Sequence, residues 1–325
     1  MKVGIVGCGF IGKKRANNLQ GAELVACADY NLKAAESLAS QSPNAKAYDS
    51  WQALLDDSDA EIIIIATPHN ALAEIALASV KANKHILIEK PAARSYKEIE
   101  PVLDALKKHK VKARVGFNHR YHRSLQKAKK IIDEGQLGEL MFVRARYGHG
   151  GRLGYEKEWR AKPELSGGGE LIDQGVHLID LSRWILGDFS DVQGRAHTYY
   201  WDMPVDDNAF LLMKTPEKKT AFLHVSCTEW KNTFSMEIYG RDGKLDLSGL
   251  GGSYGTERLS FYKMLPEMGP PETTMWEYPM ADNSWAVEFK EFLEDIRLDR
   301  EPAASLNDAY QALKIVDTIY EESEL

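Results

Sequence analysis

The feature that most constrains the fold is a glycine pattern at the start of the chain. A short apolar run, Val3–Val6, predicts a strand, and Gly7–Gly12 follows it with the spacing G-x-G-x-x-G before a helical stretch. Leu24–Ala28 predicts the next strand, which ends on Asp29. A glycine pattern between a strand and a helix, with an acid at the end of the second strand, is typical of dinucleotide-binding sites.

Each position of this loop has its own physical role. Gly7 permits the tight turn, Gly9 lets the backbone approach a pyrophosphate, and Gly12 allows close packing of helix on strand. Phe10 and Ile11 lie within this loop, and the N-terminus of the helix that follows supplies amide groups and a positive dipole to the phosphates. The loop therefore predicts a cofactor-binding site.

The acid after the second strand indicates which dinucleotide binds. Asp29 would accept hydrogen bonds from the adenosine ribose hydroxyls, and its charge would repel a 2′-phosphate. Tyr30 follows where an arginine would have favoured NADP, so the sequence predicts NAD, with NADP as the lesser alternative. Lys13–Arg15 contains cations that could reach a phosphate, but we expect them to be exposed residues on the first helical turns.

Strand and helix patterns alternate up to about residue 117, which predicts a parallel, doubly wound sheet. Ile62–Ile65 suits a parallel strand that is buried on both faces, and Asn70 is the expected cap of the helix that follows it. Ligands bind at the carboxyl ends of such strands. That rule selects three trios: Thr67, Pro68 and His69; Glu89, Lys90 and Pro91; Asn118, His119 and Arg120.

The second half of the chain has a different pattern. Seven strand-like runs between Val192 and Tyr278 follow one another without helices, which predicts an antiparallel sheet. We expect a Rossmann domain at residues 1–120 and an α+β domain at residues 121–325 that ends in two helices. Asn208–Met213 and Thr220–Cys227 are apolar on both alternations, so the open sheet face is expected to pack on another subunit.

A glycine-rich segment, Ser166–Asp180, stands between these halves. Its three glycines end any preceding element, and Glu170 can open a helix. Asp173, His177 and Asp180 then share one helix face, because they lie four and three residues apart. Taken alone, such a stripe is a solvated face more often than a site, and for Asp180 a face or packing role is expected.

Bulk properties narrow the class of protein. The net charge of −7 and the pI near 5.8 argue against nucleic-acid binding or a membrane-surface role. No apolar run reaches the length of a membrane span, and three cysteines show neither metal spacing nor a disulfide framework. We therefore expect a cytoplasmic protein without a metal.

Four motifs together resemble those of the Gfo/Idh/MocA oxidoreductase family: Gly7–Gly12, Asn83–Pro91, Gly116–Tyr121 and Gly167–Asp180. The resemblance implies a Rossmann domain followed by a domain with a large, mainly antiparallel sheet. It also implies an NAD(P)-dependent enzyme that oxidises or reduces a hydroxyl or carbonyl of a sugar, cyclitol or nucleotide-sugar. Dimers or tetramers that form through the sheet are common in the family.

The family's catalytic lysine, aspartate and histidine fall on Lys90, Asp173 and His177. We expect His177 to take the hydroxyl proton, Lys90 to stabilise developing alkoxide charge, and Asp173 to orient the substrate. Further substrate candidates are residues with flat rings or cationic groups: His119, Arg120, His149, Arg152, Tyr155, Trp159 and Arg160.

Two alternative hypotheses about the class of function stay open. A non-catalytic NAD(P)-binding regulator could use the same fold, although the lysine and histidine are both present. An NAD-dependent glycosidase would oxidise its sugar only transiently and would produce no net NADH. A metal enzyme is disfavoured, because Asp173 and His177 are only two ligands.

Overall fold

The computed structural model describes residues 1–323, which form two compact units. The first unit contains Met1–Phe117, Glu164–Gly167 and Trp285–Leu313. The second contains Asn118–Pro163, Gly168–Ser284 and the chain from Lys314 onward. Both units therefore draw on separated parts of the sequence.

The first unit is built on a parallel sheet with the strand order β3-β2-β1-β4-β5-β6. Its strands are β1 (Lys2–Val6), β2 (Glu23–Ala28), β3 (Lys46–Tyr48), β4 (Ile62–Ile65), β5 (His85–Ile88) and β6 (Ala113–Val115). The helices between them are α1 (Phe10–Ala16), α2 (Leu32–Ala39), α3 (Trp51–Asp57), α4 (His69–Lys81) and α5 (Tyr96–Leu106). The four isoleucines of β4 are fully buried, as expected of a central parallel strand. The predicted doubly wound fold is confirmed.

Two local predictions in this unit are wrong. Helix α4 begins at His69 with Pro68 in the cap position, so Asn70 lies inside the helix and is not its cap. The fixed φ of Pro68 starts the helix without a side-chain cap. Arg15, expected to be exposed, is only 1% exposed.

Arg15 lies in a buried cluster of charged groups. Its Nε donates to Glu89 Oε1 at 2.6 Å, its Nη1 donates to Glu288 Oε2 at 2.5 Å, and its guanidinium lies over the Trp285 ring at 4.3 Å. Burial opposes the charge of Arg15, but the two carboxylates outweigh it and raise the pKa of Arg15. Because a buried charge requires partners, this cluster joins α1, the end of β5 and a helix near the C-terminus.

The second unit carries a sheet with the strand order β14-β13-β12-β11-β7-β10-β9-β8. Its strands are β7 (Leu140–Gly148), β8 (Asp191–His197), β9 (Asn208–Lys214), β10 (Thr220–Ser226), β11 (Thr233–Gly240), β12 (Gly243–Ser248), β13 (Glu257–Lys263) and β14 (Glu272–Tyr278). Strands β7 and β10 run parallel, and the other neighbours run antiparallel. The predicted mainly antiparallel sheet is confirmed.

The remaining helices are α6 (Arg123–Asp133), α7 (Pro163–Ser166), α8 (Val176–Leu186), α9 (Ser284–Arg297) and α10 (Leu306–Ser323). Helix α8 packs on β7 and β10, and α6 packs on the strands at the β12–β14 end. On β9 and β10, Leu211 and Leu223 are buried, whereas Phe210, Leu212 and Phe222, which point to the opposite face, are exposed. The sheet thus has one covered face and one open, partly apolar face.

Candidate active site

The loop between β1 and α1 has the geometry that a dinucleotide requires. Gly7 has φ +93°, and a Cβ there would lie 2.5 Å from the Ala66 carbonyl oxygen. A Cβ on Gly12 would lie 1.9 Å from the Gly7 carbonyl oxygen, so packing forbids any side chain at both positions. A Cβ on Gly9 would meet no described atom within 4 Å, which leaves the backbone open to a bulky ligand such as a pyrophosphate.

The residues around this loop also fit an NAD molecule. Asp29 Oδ2 accepts a hydrogen bond from the Cys8 backbone nitrogen at 2.8 Å, which ties the loop to the end of β2. Tyr30, beside it, is 95% exposed. Thr67 Oγ1 is buried, and within residues 1–323 it has no hydrogen-bond partner, so it is available to a ligand. Phe10 is exposed and Ile11 half-buried at the helix start.

The Glu89 and Lys90 side chains of the Glu89-Lys90-Pro91 trio differ in burial. Strand β5 ends at Ile88, and the Glu89 side chain turns inward to Arg15. Lys90 is half-buried and precedes a cis peptide bond to Pro91. The trio thus presents Lys90 at the carboxyl end of the sheet, while Glu89 is held in the buried charge cluster.

Three predicted sites at the strand ends make local contacts. His69 Nδ1 lies 2.8 Å from the Ser166 carbonyl oxygen, and Asn118 Nδ2 donates to Ser284 Oγ at 2.9 Å. Arg120 donates from Nε to Asp180 Oδ2 at 2.8 Å and from Nη2 to Asp180 Oδ1 at 2.5 Å, with both side chains buried. Asp180 is one half of a buried ion pair, so of the two roles expected for it the solvated face is wrong and the packing role agrees with its burial.

The glycines before the π turn and helix α8 are required by close packing around a buried carboxylate. A Cβ on Gly168 would lie 2.3 Å from the Tyr320 hydroxyl, and a Cβ on Gly169 would lie 1.9 Å from the Asp206 carbonyl oxygen. Asp206 accepts hydrogen bonds from the Gly169 nitrogen (2.8 Å), the Leu171 nitrogen (2.7 Å) and the Tyr320 hydroxyl (2.7 Å). The buried Asp206 carboxylate therefore holds the start of the helix.

Burial also shifts the titration of Asp206. Its removal from water raises the pKa to about 6, although the hydrogen bonds from Leu171, Tyr320 and Gly169 oppose the shift. The nearby Glu170 carboxylate raises the pKa further.

The helix after these glycines does not begin as the sequence predicts. Leu171–Gly175 is a π-helical turn, and the regular helix α8 starts at Val176. The apolar spacing predicts a regular helix from Glu170 onward, which is wrong in its first turn. Asp173 and His177 are each 4% exposed, one in the π turn and one in α8. Such π turns are frequent at functional sites.

His177 lies in an aromatic and imidazole cluster. Its ring stacks on His119 with centroids 3.7 Å apart, and Tyr147 approaches edge-on at 6.3 Å. His122 lies edge-on to His119 at 5.6 Å and places its Nδ1 2.8 Å from Glu257 Oε1. The structure therefore brings the predicted substrate residue His119 directly against the predicted base.

Asp173 is bound by another predicted substrate residue. Arg160 Nε donates to Asp173 Oδ2 at 2.8 Å, and the charge of Asp173 raises the pKa of Arg160. The Arg160 guanidinium lies over the Trp159 ring at 4.6 Å. His149 lies 3.4 Å from Glu170. These contacts gather His149, Trp159 and Arg160 around the π turn.

Two family models match the chain. One is the oxidoreductase family with an NAD-binding Rossmann fold, over residues 1–117, and the other is the Gfo/Idh/MocA C-terminal domain, over residues 125–246. The chain belongs to the Gfo/Idh/MocA family. The predicted family, the class of enzyme and the NAD-binding fold are confirmed.

Curated relatives of this Gfo/Idh/MocA protein are dehydrogenases. Levoglucosan dehydrogenase of Pseudarthrobacter phenanthrenivorans is 31% identical over 63% of this chain, and the match spans 56% of that relative. Inositol 2-dehydrogenase of Salmonella typhimurium is 25% identical over 100% of this chain and 94% of its own. Glucose-6-phosphate 3-dehydrogenase of Bacillus subtilis is 25% identical over 99% of this chain and 96% of its own.

A solved structure confirms the fold of this family member. Levoglucosan dehydrogenase in complex with NADH and L-sorbose superposes with a TM-score of 0.87 at 24% identity, covering 99% of this chain and 97% of that one. In the described part of the chain no helix is long and apolar enough to cross a membrane. Within residues 1–323, no three His, Cys, Asp or Glu side chains form a group that could hold a metal ion.

Several residues that contact the predicted site residues of this oxidoreductase are not predicted from the sequence. Asp206 and Tyr320 clamp the glycines, Glu158 and Glu170 contact predicted substrate residues, and Arg15 holds Glu89. The adjacent acids at 206 and 207, directly before an apolar strand, were a usable signal, because two acids at a buried strand end require partners. The contacts of Tyr320 and Glu158 carry no such signal.

Proposed function

We propose that this protein transfers a hydride between NAD and a secondary hydroxyl or carbonyl group of a sugar or cyclitol. The observation that carries the proposal is a buried His177 stacked on a second imidazole, one helical turn after a buried Asp173, in a chain with a dinucleotide loop. Oxidation of an alcohol needs a base that titrates near neutral pH, and histidine is the common choice. NADP is the lesser alternative cofactor.

NAD is held by residues of the first unit. Gly7, Gly9, Phe10, Ile11 and Gly12 form the loop around the pyrophosphate, and the backbone is open to it at Gly9, where a Cβ would meet no described atom within 4 Å. Asp29 binds the adenosine ribose hydroxyls with the carboxylate that also holds the loop. Thr67, Pro68, His69, Glu89, Lys90 and Asn118 complete the proposed set. Glu89 takes part through its backbone, since its side chain binds Arg15. When bound, the nicotinamide ring accepts or supplies the hydride.

Three side chains have proposed chemical roles. His177 takes the hydroxyl proton, Lys90 as a cation stabilises the developing alkoxide, and Asp173 orients the substrate. In the reverse direction His177 or Lys90 returns the proton. The stack on His119 supports this assignment, because it fixes the ring plane of His177.

The substrate is bound by side chains near the π turn and by the imidazole cluster. The proposed set is Lys90, His119, Arg120, His149, Arg152, Trp159, Arg160, Asp173 and His177. Arg120 contributes through the Asp180 ion pair, which fixes the strand-end segment against α8. Trp159 offers a flat face to a sugar ring.

The open face of the sheet is a proposed subunit interface. Phe210, Leu212 and Phe222 are neighbours across β9 and β10 and are 39%, 49% and 47% exposed. Phe142 on β7 extends the same face. A homodimer or homotetramer through this face would remove the apolar surface from water. The three free, buried cysteines suit the reducing cytoplasm, the proposed compartment.

The test is a panel of sugars, cyclitols and their derivatives, incubated with NAD or NADP and followed by reduced-cofactor absorbance in the near ultraviolet. Net NADH formation with at least one polyol supports the proposal. NAD-dependent release of an aglycone without net NADH would instead identify a glycosidase. Absence of both reactions, with NAD bound tightly, would leave a non-catalytic regulator.

A further inference from the structure

The charges around the π turn bear on which carbohydrates can bind. The segment 149–160 contributes three of the proposed cationic substrate residues, and each contacts a carboxylate of its own unit. Arg152 makes a two-pronged contact with Glu158, from Nε to Oε1 at 2.7 Å and from Nη2 to Oε2 at 2.7 Å. That geometry is the one an arginine would otherwise offer to a phosphate.

Glu158 also faces a second arginine. Arg160 Nη1 lies 3.8 Å from Glu158 Oε2, while Arg160 Nε binds Asp173. The four groups form a chain of alternating charge, Arg152–Glu158–Arg160–Asp173, that ends in the π turn. Glu158 is the member that neutralises both of its neighbours.

The other two cationic candidates of this unit are compensated in the same way. Arg120 is fully engaged by the buried Asp180, and His149 lies against Glu170, whose side chain is fully buried. Burial alone would lower the pKa of His149, but the contact with Glu170 outweighs it and raises the pKa. Each of these four side chains, Arg120, His149, Arg152 and Arg160, therefore contacts a carboxylate of the same unit.

This arrangement disfavours an anionic substrate. A phosphate or carboxylate on the substrate would have to displace Glu158 or Asp180 from an arginine, or lie beside their charges in a partly desolvated site. Hydroxyl groups meet no such penalty, because each both donates and accepts and can bind ion-paired arginines and carboxylates together.

We propose that the substrate is an uncharged sugar or cyclitol, and that Glu158 is the specificity-determining residue that excludes phosphorylated and nucleotide-linked sugars. The inference rests on the proposed function and restricts its substrates to uncharged compounds. Glu158 acts by occupying the guanidinium of Arg152 and facing that of Arg160. Its removal would leave Arg152 without this carboxylate and would leave Arg160 with the carboxylate of Asp173 and the Trp159 ring.

The first experiment compares matched pairs that differ in one phosphate, such as glucose with glucose 6-phosphate and inositol with an inositol phosphate. We expect kcat/KM, measured by NADH formation, to be at least about 10-fold higher for the uncharged member. Turnover confined to the phosphorylated members overturns the inference and leaves the proposed function standing. No turnover with any member, with either cofactor, contradicts the proposed function itself.

The second experiment uses Glu158→Gln with Glu156→Gln as the matched control. Both changes remove one carboxylate from the same segment, but the ion pair of Glu156 is with the exposed Lys157, at 4.0 Å, and involves no predicted substrate residue. In Glu158→Gln the ratio of kcat/KM for the phosphorylated to the uncharged member should rise about 10-fold or more, because a charge-assisted contact becomes available. Glu156→Gln should leave the ratio unchanged. Equal ratios in wild type and Glu158→Gln contradict the role of Glu158.

Discussion

His177 shows how the chemistry of a single residue depends on neighbours that are remote in sequence. The spacing from Asp173 to His177 predicts a shared helix face, and both residues are buried as a site requires. The stack of His119 on His177 could not be predicted from the sequence, because ring contacts depend on how α8 packs on the segment Asn118–Tyr121. At this scale, motifs identify the residue types, and packing supplies the contacts.

Replacement of Lys90 or His177 by alanine tests the chemical roles. Each variant should lose about 100-fold or more in kcat, because a positioned acid, base or cation is removed. Binding of NADH, followed by its fluorescence, should be retained. His197→Ala and Lys108→Ala, both at exposed positions, serve as controls. Full activity in both Lys90→Ala and His177→Ala would show that the assignment is incorrect.

Tyr30 offers a clean test of cofactor choice. It is 95% exposed beside Asp29, so Tyr30→Arg adds a cation without disturbing the hydrogen bond that Asp29 accepts from the Cys8 nitrogen. We expect the KM for NADP to fall about 10-fold, since an arginine can bind the 2′-phosphate. The KM for NAD should change little. Tyr199→Arg, at another exposed tyrosine, should not alter either value.

At the scale of elements, the strand and helix pattern was largely predictable, and the segment before α8 was not. Alternating apolar runs indicate a parallel sheet because burial on both faces requires them, and β4 fits that requirement. The π turn Leu171–Gly175 follows from the Asp206 clamp, which binds the backbone at Gly169 and Leu171. A helical period in the sequence contains no information about such a clamp.

The raised pKa of Asp206 should make the free energy of unfolding depend on pH. The pKa of Asp206 is raised from 3.8 to about 6, so the folded state holds this proton more tightly than the unfolded state. The resulting contribution to the free energy of unfolding is fully present below pH 3.8 and is lost as the pH rises through 6. Over this window the wild type should lose on the order of 3 kcal/mol of unfolding free energy relative to Asp206→Asn.

Urea unfolding at pH 4.5, 5.5 and 7.5 measures the part of this difference that lies above pH 4.5, which is on the order of 2 kcal/mol. Asp202→Asn, which changes an exposed acid a few residues away, should follow the wild type at every pH. If the curves of wild type and Asp206→Asn stay parallel from pH 4.5 to 7.5, the Asp206 carboxyl does not titrate in that range.

At the scale of the whole molecule, the family, the two sheet types and the class of reaction follow from the sequence. They follow because each of the four motifs, and each of the two patterns of apolar residues, lies within a short continuous stretch of the chain. The grouping of Trp285–Leu313 with the N-terminal residues could not be read in this way, since it depends on contacts such as Arg15 with Glu288. Those contacts join residues that are far apart in the chain.

The open sheet face gives a prediction for the assembled protein. Phe222→Glu places a charge in the centre of the apolar surface beside Leu212, so it should separate the subunits. Sedimentation velocity at micromolar concentration should show a smaller particle than the wild type. Met268→Glu, at a residue that is 93% exposed, is the control. A wild type that sediments as a monomer would refute the interface.

The helix α9 has a consequence for how the chain is made. Phe289, Phe292 and Leu293 belong to the same buried cluster as Val3 and Ile5, and Arg114 binds Asp295. During synthesis on the ribosome, the apolar residues of the cofactor-binding unit that pack on α9 stay exposed until residue 297 has emerged. A nascent chain arrested near residue 280 should therefore be sensitive to protease in its first 117 residues, although every strand of its parallel sheet has already been translated.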